Sequence, residues 1–133
     1  MEAQELFKIL GNELRLRLVC LLRDRVLRVG EICEIVQAPM SLVSKELMHL
    51  RKEKIVVAQR SGVAIRYSVP KNNDSDLLSA ILDVAHGLMP ANVYADAARA
   101  RAHDARAMET AIGGNAKGTE QKKKSPNGRR SRA

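Results

Sequence analysis

Side chains that can bind phosphates and the edges of bases cluster in one short stretch of the chain, from Ser41 to Lys54. Val43, Leu47 and Leu50 recur within it at i, i+4 and i+7, which is the spacing of one packed face of a helix. Hydroxyl and cationic groups, the usual donors to DNA phosphates, fall around the rest of that helix. These are Ser41, Ser44, Lys45, Arg51 and Lys52. The stretch therefore predicts a helix that packs on one side and offers its other side to a partner.

A second helical pattern and a short turn come directly before this stretch. Ile32, Ile35 and Val36 repeat at i, i+3 and i+4, and the turn after them, Gln37 to Met40, contains a proline. Helix, short turn and helix is the order of a helix-turn-helix motif, whose second helix enters the major groove of DNA.

Two β-branched runs follow, Ile55 to Arg60 and Val63 to Val69. They are separated by Ser61-Gly62, a pair typical of a tight hairpin because glycine accepts a positive φ. A hairpin directly after a recognition helix is the wing of a winged helix. We therefore predict a mainly α fold with a small β-hairpin, the winged helix-turn-helix.

Two helices are predicted before this motif. The first repeats Ala3, Leu6, Phe7 and Leu10 on one face and is expected to close at Gly11 in a left-handed C-cap. Asn12 is expected to cap the second helix, which runs from Glu13 to about Asp24. Its inward residues are Leu14, Leu18, Leu21 and Leu22. Val26 to Val29 is predicted as a short strand that joins the wing.

A further helix is predicted after the wing, from Asp76 to Met89, with Asp74 or Ser75 as its N-cap. Its apolar stripe is wider than packing on one small domain requires, which indicates that the first and terminal helices form a dimer surface. The stripe consists of Leu77, Leu78, Ile81, Leu82, Ala85, Leu88 and Met89.

Three segments are predicted along the chain. Residues 1–89 form the DNA-binding and dimerisation domain, 90–112 an Ala- and Arg-rich helical extension, and 113–133 a disordered basic tail. The tail carries seven Lys or Arg against one Glu, so it accounts for +6 of the net charge of +8. Because the rest of the chain is only mildly basic, the placement of its charges must carry any argument for DNA binding.

Several classes of protein are disfavoured. The N-terminus lacks the basic and apolar regions of a signal peptide, and no apolar run is long enough to span a membrane, so a cytoplasmic protein is expected. Reduced thiols are expected at Cys20 and Cys33. The absence of a CxxC pair, a phosphate-binding loop, an HExxH motif and a nucleophile elbow indicates that the protein is not an enzyme, and no cofactor is expected.

The chain resembles the ArsR/SmtB family of bacterial winged-helix repressors over residues 1 to about 89. Three segments carry the resemblance: Leu6 to Arg15, in which Arg15 matches a near-invariant arginine at the start of the second helix, Ser44 to Leu50 in the recognition helix, and Arg66 to Val69 in the wing. The resemblance implies a homodimer that places two recognition helices in successive major grooves of a near-palindromic operator and leaves when an effector binds.

The resemblance also implies which residues read DNA: Met40, Ser41, Leu42, Ser44, Lys45 and Glu46. Met40 and Glu46 depart from the family pattern, which usually has Gln and His at these positions, so an unusual operator is expected. Met40 or Leu42 can touch a thymine methyl group, while Ser41, Ser44, Lys45 and Arg51 can bind phosphate. Two interpretations of Glu46 stay open: it accepts from a cytosine amine, or it pairs with a neighbouring Lys or Arg. In the wing, Arg60 and Arg66 are expected to contact DNA.

Cys20 and Cys33 are the candidate effector residues. Cys20 resembles the second-helix cysteine of the family's sulfur- and redox-sensing branch, although the terminal helix holds no partner cysteine. Arg17 and Arg23 flank Cys20 at i−3 and i+3, and a nearby helix N-terminus is expected to favour the thiolate of Cys33. Two interpretations stay open: thiol-based sensing of an oxidant, a sulfur species or an arsenite-like metal, or small apolar filler.

A metal site is expected to be absent. An arsenic-type site is incomplete because Ile35 stands where the family has its second cysteine. The zinc type uses Asp and His pairs on the terminal helix, where Asp83 and His86 are weak candidates that lack the remaining ligands.

The leading hypothesis is a homodimeric repressor that binds double-stranded operator DNA. The alternative is a winged-helix module for chromosome architecture or protein contact, with non-specific DNA affinity from the basic tail. Truncation at Gly113 discriminates the two, because only the tail-driven protein loses most of its affinity.

Overall fold

Six helices and a three-stranded antiparallel sheet make up the chain in a computed structural model, which describes the backbone of residues 1–132 and the side chains of 1–72 and 75–113. The helices are α1 (Ala3–Leu10), α2 (Glu13–Leu22), α3 (Val29–Val36), α4 (Met40–Lys52), α5 (Asn73–Val84) and α6 (Ala91–Arg132). The strands are β1 (Leu27–Arg28), β2 (Val57–Ser61) and β3 (Ala64–Ser68), and a 3₁₀ turn spans His86–Leu88. This is the predicted mainly α fold with a hairpin wing.

Residues Met1–Ala100 form one compact unit and Arg101–Ala133 a second, so the first ten residues of α6 belong to the unit that contains the helix-turn-helix. The predicted division at residues 89 and 112 stays a prediction. The predicted disorder of the tail over 113–133 falls largely on residues whose side chains lie outside the described part of the chain.

The core of the first unit lies between α2, α3 and α4. The predicted inward residues Ile32, Ile35 and Val36 of α3 are buried, and so are Val43, Leu47 and Leu50 of α4. In α2, Leu18, Leu21 and Leu22 are buried as predicted, together with Val19. The two helical periodicities are therefore confirmed as faces that pack on one another.

The sheet has the strand order β1-β3-β2. The predicted strand near residues 26–29 is confirmed as β1, in which Leu27 pairs with Tyr67 of β3. The hairpin turn differs by one residue from the prediction, because Ser61 pairs with Ala64 and leaves Gly62-Val63 as the two-residue loop. Gly62 has the expected positive φ, 63°.

Two of three predicted helix ends differ from the structure, and one agrees with it. Gly11 is right-handed, with φ −68°, because its N–H still donates to the carbonyl of Phe7 at 2.9 Å and the chain leaves the helix only at the extended Asn12. Asn12 caps α2 as predicted, accepting from the Arg15 N–H at 3.1 Å. The cap of α5 is Asn72, not residue 74 or 75, because its side chain accepts from the Ser75 N–H at 2.9 Å.

The first helix and α5 leave part of their predicted apolar faces uncovered. In α1 the buried residue is Ile9, whereas Phe7, a member of the predicted apolar face, is exposed. After Val84 the chain passes into the 3₁₀ turn instead of continuing as one helix to Met89, and Leu77, Val84 and Leu88 are exposed. Within the first unit, an apolar surface is therefore left uncovered on α1, on α5 and in the 3₁₀ turn.

Candidate nucleic-acid interface

The N-terminal half of α4 is the best-formed candidate surface. The helix begins after Pro39, whose carbonyl accepts from the N–H groups of Leu42 and Val43 at 3.1 and 3.0 Å. Because Val43, Leu47 and Leu50 pack into the core, the opposite face turns outward. Its apolar members Met40 and Leu42 keep 55% and 43% of their surface exposed. The polar members Ser41, Ser44 and Lys45 are also exposed.

The charges on α4 suit an anionic partner. Its first turn holds no acidic residue, so the positive end of the helix dipole is not neutralised from within the helix. Lys45, Arg51 and Lys52 are all exposed along it. Hydroxyl groups and free N–H groups at the helix start, with cations farther along, can bind several phosphates of one groove.

The wing presents its two arginines on opposite faces. Arg60 pairs with Ile65 across the hairpin, whereas Arg66 pairs with Gln59, and successive residues of a strand point to opposite sides. Arg60 therefore shares a face with Tyr67, which packs on the core, and Arg66 shares its face with Arg28 of β1. Both arginines are exposed. Arg60 lies on the side of the hairpin that faces the helical core, so it is the better placed to act together with α4.

Glu46 differs from the other predicted DNA-reading residues because it is buried, with only 7% of its surface exposed. Its carboxylate accepts from Nε of Arg15, at the start of α2, at 2.6 Å. This geometry favours the second interpretation of Glu46, pairing with an arginine, although the arginine comes from another helix. Sequence reasoning missed this partner. The signal for it was the joint presence of Arg15 and of an acid where the family usually has His.

Cys20 and Cys33 are free and half-buried. Burial raises the pKa of Cys20 to about 11, with the charge of Arg23 opposing and those of Asp96 and Asp24 reinforcing the rise. Burial also raises the pKa of Cys33, against a backbone hydrogen bond that lowers it. Arg23 therefore favours the thiolate of Cys20 as expected, but desolvation outweighs its charge, and Arg17 is already paired with Asp96. The prediction that the two thiols are reactive applied to exposed thiols, and both are half-buried.

A cavity of about 130 Å³ adjoins Cys20 between α2, α5 and the start of α6. Polar and charged side chains make up part of its wall: Arg17, Arg23, Asp24, His86, Tyr94 and Asp96. Leu82, Met89 and Val93 supply apolar wall. The cavity gives a small reagent a route to a thiol that is otherwise kept neutral by burial.

Asp83 and His86, the weak metal candidates, are engaged elsewhere. Asp83 accepts from Nη1 of Arg23 at 2.8 Å. His86 lies edge-on to the ring of Tyr94, with 5.8 Å between ring centroids, and its carbonyl accepts from the Tyr94 hydroxyl. Among the described side chains, no group of three or more His, Cys, Asp or Glu is arranged to hold a metal ion. In the part of the chain that the structure describes, no helix is both long and apolar enough to cross a membrane.

The pairing of Arg15 with Glu46 predicts coupled stability. Arg15→Gln and Glu46→Gln should each lower the free energy of unfolding by about 1–3 kcal/mol, because each leaves a largely buried charge without its partner. In the double variant the losses should fall short of additivity by about 1–2 kcal/mol. Urea denaturation of the parent, both single variants and the double variant measures this coupling. Additive losses, or an unchanged stability with an altered base preference in Glu46→Gln, would favour direct base reading by Glu46 instead.

The raised pKa of Cys20 predicts a slow thiol. In a Cys33→Ser background, alkylation of Cys20 by iodoacetamide should be slow at neutral pH, because only the thiolate reacts. The rate should rise about tenfold per pH unit and continue to rise through pH 9 towards about 11. A small peptide thiol provides the control, and its rate should level off earlier. A rate for Cys20 that levels off below pH 8 would show that the thiol is activated.

Comparison with known proteins agrees with this geometry. The family described as bacterial regulatory protein, arsR family, matches residues 12–57, from the N-cap of α2 to the first residue of β2. The transcriptional activator HlyU of Vibrio cholerae is 29% identical over 87 residues, which are 65% of this chain and 77% of that protein.

Two solved structures extend the comparison to the fold. The transcriptional repressor BigR from Xylella fastidiosa superposes with a TM-score of 0.58 at 26% identity, over 65% of this chain and 86% of that one. A homodimeric winged helix-turn-helix domain from Mycobacterium bovis gives a TM-score of 0.53 at 26% identity, over 60% and 73%. With its helix-turn-helix, its wing and these relatives, the chain is a winged helix-turn-helix, DNA-binding transcriptional regulator of the ArsR type.

Proposed function

We propose that the protein is a homodimeric, sequence-specific repressor that places the α4 helices of its two protomers in successive major grooves of an operator. The observation that carries the proposal is the division of α4 into a buried apolar face and an exposed N-terminal face that bears hydroxyl, ammonium and apolar groups. A helix in the major groove reads base edges with the residues of its N-terminal turns, which is the part of α4 that is exposed here.

Six exposed residues of α4 have a role in the proposed complex. Met40 and Leu42 touch thymine methyl groups, because they are apolar and lie in the first turn. The side chains that bind phosphates and fix the register are Ser41, Ser44, Lys45 and Arg51. Glu46 does not reach the bases. Its pairing with Arg15 instead holds α4 at a fixed orientation on α2.

The wing adds a second point of contact with the duplex. Arg60, on the hairpin face that is turned towards the helical core, binds the backbone beside the groove that α4 occupies. Arg66, on the other face, contacts the backbone farther from α4.

The uncovered apolar residues of α1, α5 and the 3₁₀ turn are the proposed dimer surface. Phe7, Leu77 and Val84 are exposed, and Leu88 keeps 87% of its surface in contact with solvent. Contiguous exposed apolar surface on a small domain marks an interaction site, and α5 leads directly into the 3₁₀ turn. The related domain from Mycobacterium bovis is described as homodimeric, and a dimer supplies the two recognition helices that a near-palindromic operator requires.

A thiol-reactive effector is the proposed release signal, and burial of the thiols restricts how it can act. Cys20 is protonated at neutral pH, so an oxidant, a sulfur species or arsenite must enter the adjoining cavity to react with it. A modified Cys20 would enlarge a side chain between α2, α5 and α6. Because α2 supports both helices of the motif, a shift of α2 would move α4 and weaken DNA binding.

The function is tested by binding of the purified, reduced protein to DNA upstream of its own gene, with competitor DNA present, before and after treatment with arsenite or mild oxidant. We expect preferential binding by a species that sediments as a dimer, and loss of that binding on treatment. A chain that ends at Gly113 should keep the preference. If this truncation abolished most binding, the basic tail would be the DNA-binding element and the architectural alternative would stand. If DNA binding were unchanged by arsenite and by mild oxidant, the thiol-reactive effector would be rejected and the repressor function would stand.

The salt dependence of operator binding tests the proposed wing contact. Arg60→Ala should reduce the slope of log K against log salt by about 0.9 for each protomer, because one phosphate contact is lost per wing. The affinity for all sequences should fall to a similar degree. The control is Lys71→Ala, which removes an exposed cation beyond the end of β3 that lies away from the hairpin loop. Equal slopes in the parent and Arg60→Ala would show that the wing arginine is only a solvated charge.

A further inference from the structure

A buried carboxylate on α6 accepts hydrogen bonds from two arginines, one on α2 and one on α6 itself. Asp96 is only 3% exposed. Its Oδ2 accepts from Nε of Arg17 at 2.8 Å, and its Oδ1 accepts from Nη2 of Arg17 at 2.9 Å and from Nη2 of Arg99 at 2.8 Å. The contact with Arg17 is bidentate, which is the strongest and most directional form of this pair. The hydrogen bond to Asp96 raises the pKa of Arg17 although burial opposes the rise.

The same two guanidinium groups also reach the end of α3. Nη2 of Arg17 donates to the carbonyl of Val36 at 2.5 Å, and Nε of Arg99 donates to the carbonyl of Ile35. The last carbonyls of a helix have no partner within it and carry the negative end of its dipole. Two cations held by one carboxylate therefore cap the C-terminus of α3.

The capped end is the point at which the helix-turn-helix changes direction. Directly after Val36, Gln37 takes a left-handed conformation with φ 54°, and Pro39 then starts α4. The turn is short, so the position of the last carbonyls of α3 limits the directions in which α4 can leave. A clamp on these carbonyls acts on the recognition helix without touching DNA.

We infer that Asp96 is a positioning residue for DNA recognition: with Arg17 and Arg99 it clamps the C-terminus of α3 and makes the start of α6 a working part of the helix-turn-helix. The segment is anchored to the same core at two further points. Ala100 is fully buried, and Nδ2 of Asn92 donates to Oε1 of Glu13 at the start of α2, at 2.7 Å. This inference rests on the proposed DNA-binding function for its affinity readout, but not for its structural readout.

The chain contains a matched control for the charge chemistry. Arg23, also from α2, donates to Asp83 of α5 at 2.8 Å, again an arginine–carboxylate contact from α2, but a single one to a more exposed acid. None of the hydrogen bonds described for Arg23 goes to α3 or α4, since its other partners are the carbonyl and hydroxyl of Ser79. Asp83→Asn therefore removes an acid that pairs with an α2 arginine and leaves the end of α3 untouched.

The experiment compares full-length Asp96→Asn with Asp83→Asn and the parent. Asparagine keeps the shape of aspartate but offers one acceptor in place of two and turns an N–H₂ group towards the guanidinium groups. Hydrogen exchange by NMR follows three N–H groups. That of Ala38 donates to the Cys33 carbonyl at the end of α3, and those of Leu42 and Val43 donate to the Pro39 carbonyl at the start of α4. Titration with upstream and with scrambled DNA gives the specific and non-specific affinities. Circular dichroism confirms that each variant is folded under these conditions.

For Asp96→Asn we expect faster exchange at these three N–H groups and about tenfold weaker specific binding, the loss associated with one such interaction. Non-specific affinity and its salt slope should stay at the parent values, because the phosphate-binding cations are unchanged. Asp83→Asn should match the parent in both readouts. If Asp96→Asn lost thermal stability but kept the parent's exchange at the turn and its ratio of specific to non-specific affinity, Asp96 would be merely structural and the inference would be overturned.

A second variant covers the case in which Asp96→Asn does not fold. Arg99→Gln removes the donor to Ile35 while leaving the bidentate pair of Arg17 and Asp96 in place, and should change both readouts in the same direction to a smaller extent. If the parent showed no preference for upstream DNA, the proposed function would fail. The exchange rates alone would then decide the clamp: unchanged rates in both variants would reject it.

Discussion

Two arginines of one helix hold both halves of the helix-turn-helix. Arg15 of α2 donates to Glu46 of α4, and Arg17, two residues later, donates to Asp96 and to the last turn of α3. Apolar packing brings these helices together, but aliphatic side chains slide and repack at low cost. Charge-assisted hydrogen bonds of fixed geometry define angle and register much more sharply. The orientation of α4 therefore depends on polar contacts to α2.

These contacts need not add much to the free energy of folding. Removing a charge from water costs several kcal/mol, and a buried pair often does no more than offset that cost. What a pair does impose is a penalty for any arrangement that separates it, because a single buried charge is then left uncompensated. In the proposed repressor, which reads base edges with the first turns of α4, such a penalty is useful in itself. A displacement of α4 at Arg15 or Arg17 would be passed to every contact that α4 makes.

Periodicity predicted most of the fold, and it did so where the packing is apolar and local. Ile32, Ile35 and Val36 gave α3, and Val43, Leu47 and Leu50 gave α4, because each set marks the buried face of one helix. The glycine at position 62 predicted the position of the hairpin turn in the wing to within one residue. Periodicity placed Phe7 on the apolar face of α1, and Phe7 lies exposed in the single chain. In the proposed dimer, a side chain that only the second protomer covers has the same sequence pattern as one that packs within its own chain.

The polar contacts could not be predicted in the same way, because they join residues far apart in the chain. Asp96 and Arg99 stand three residues apart in an Ala-rich segment, which is the usual pattern of a solvated helix surface. The one local signal is that Asp96 and Ala100, four residues apart, share a helix face, and both prove to be buried. The family resemblance placed Glu46 among the DNA-reading residues, with pairing to a Lys or Arg left open, and only the place of Arg15 in the fold shows its carboxylate turned inward.

The pKa of Cys20 could not be predicted from neighbouring residues in the sequence either. Two arginines flank it along the helix and indicated an acidic thiol, but Arg17 is bound by Asp96 and Arg23 by Asp83, so much of their charge is already balanced. Desolvation is the largest cause of the raised pKa of Cys20, and the charge of Arg23 lowers that pKa by less. The charge of Asp96 adds to the rise, and Asp96 is also the acid of the proposed α3 clamp. In the proposed repressor, an effector that separates Asp96 from Arg17 would therefore act on the candidate sensor thiol and on the DNA-binding motif together.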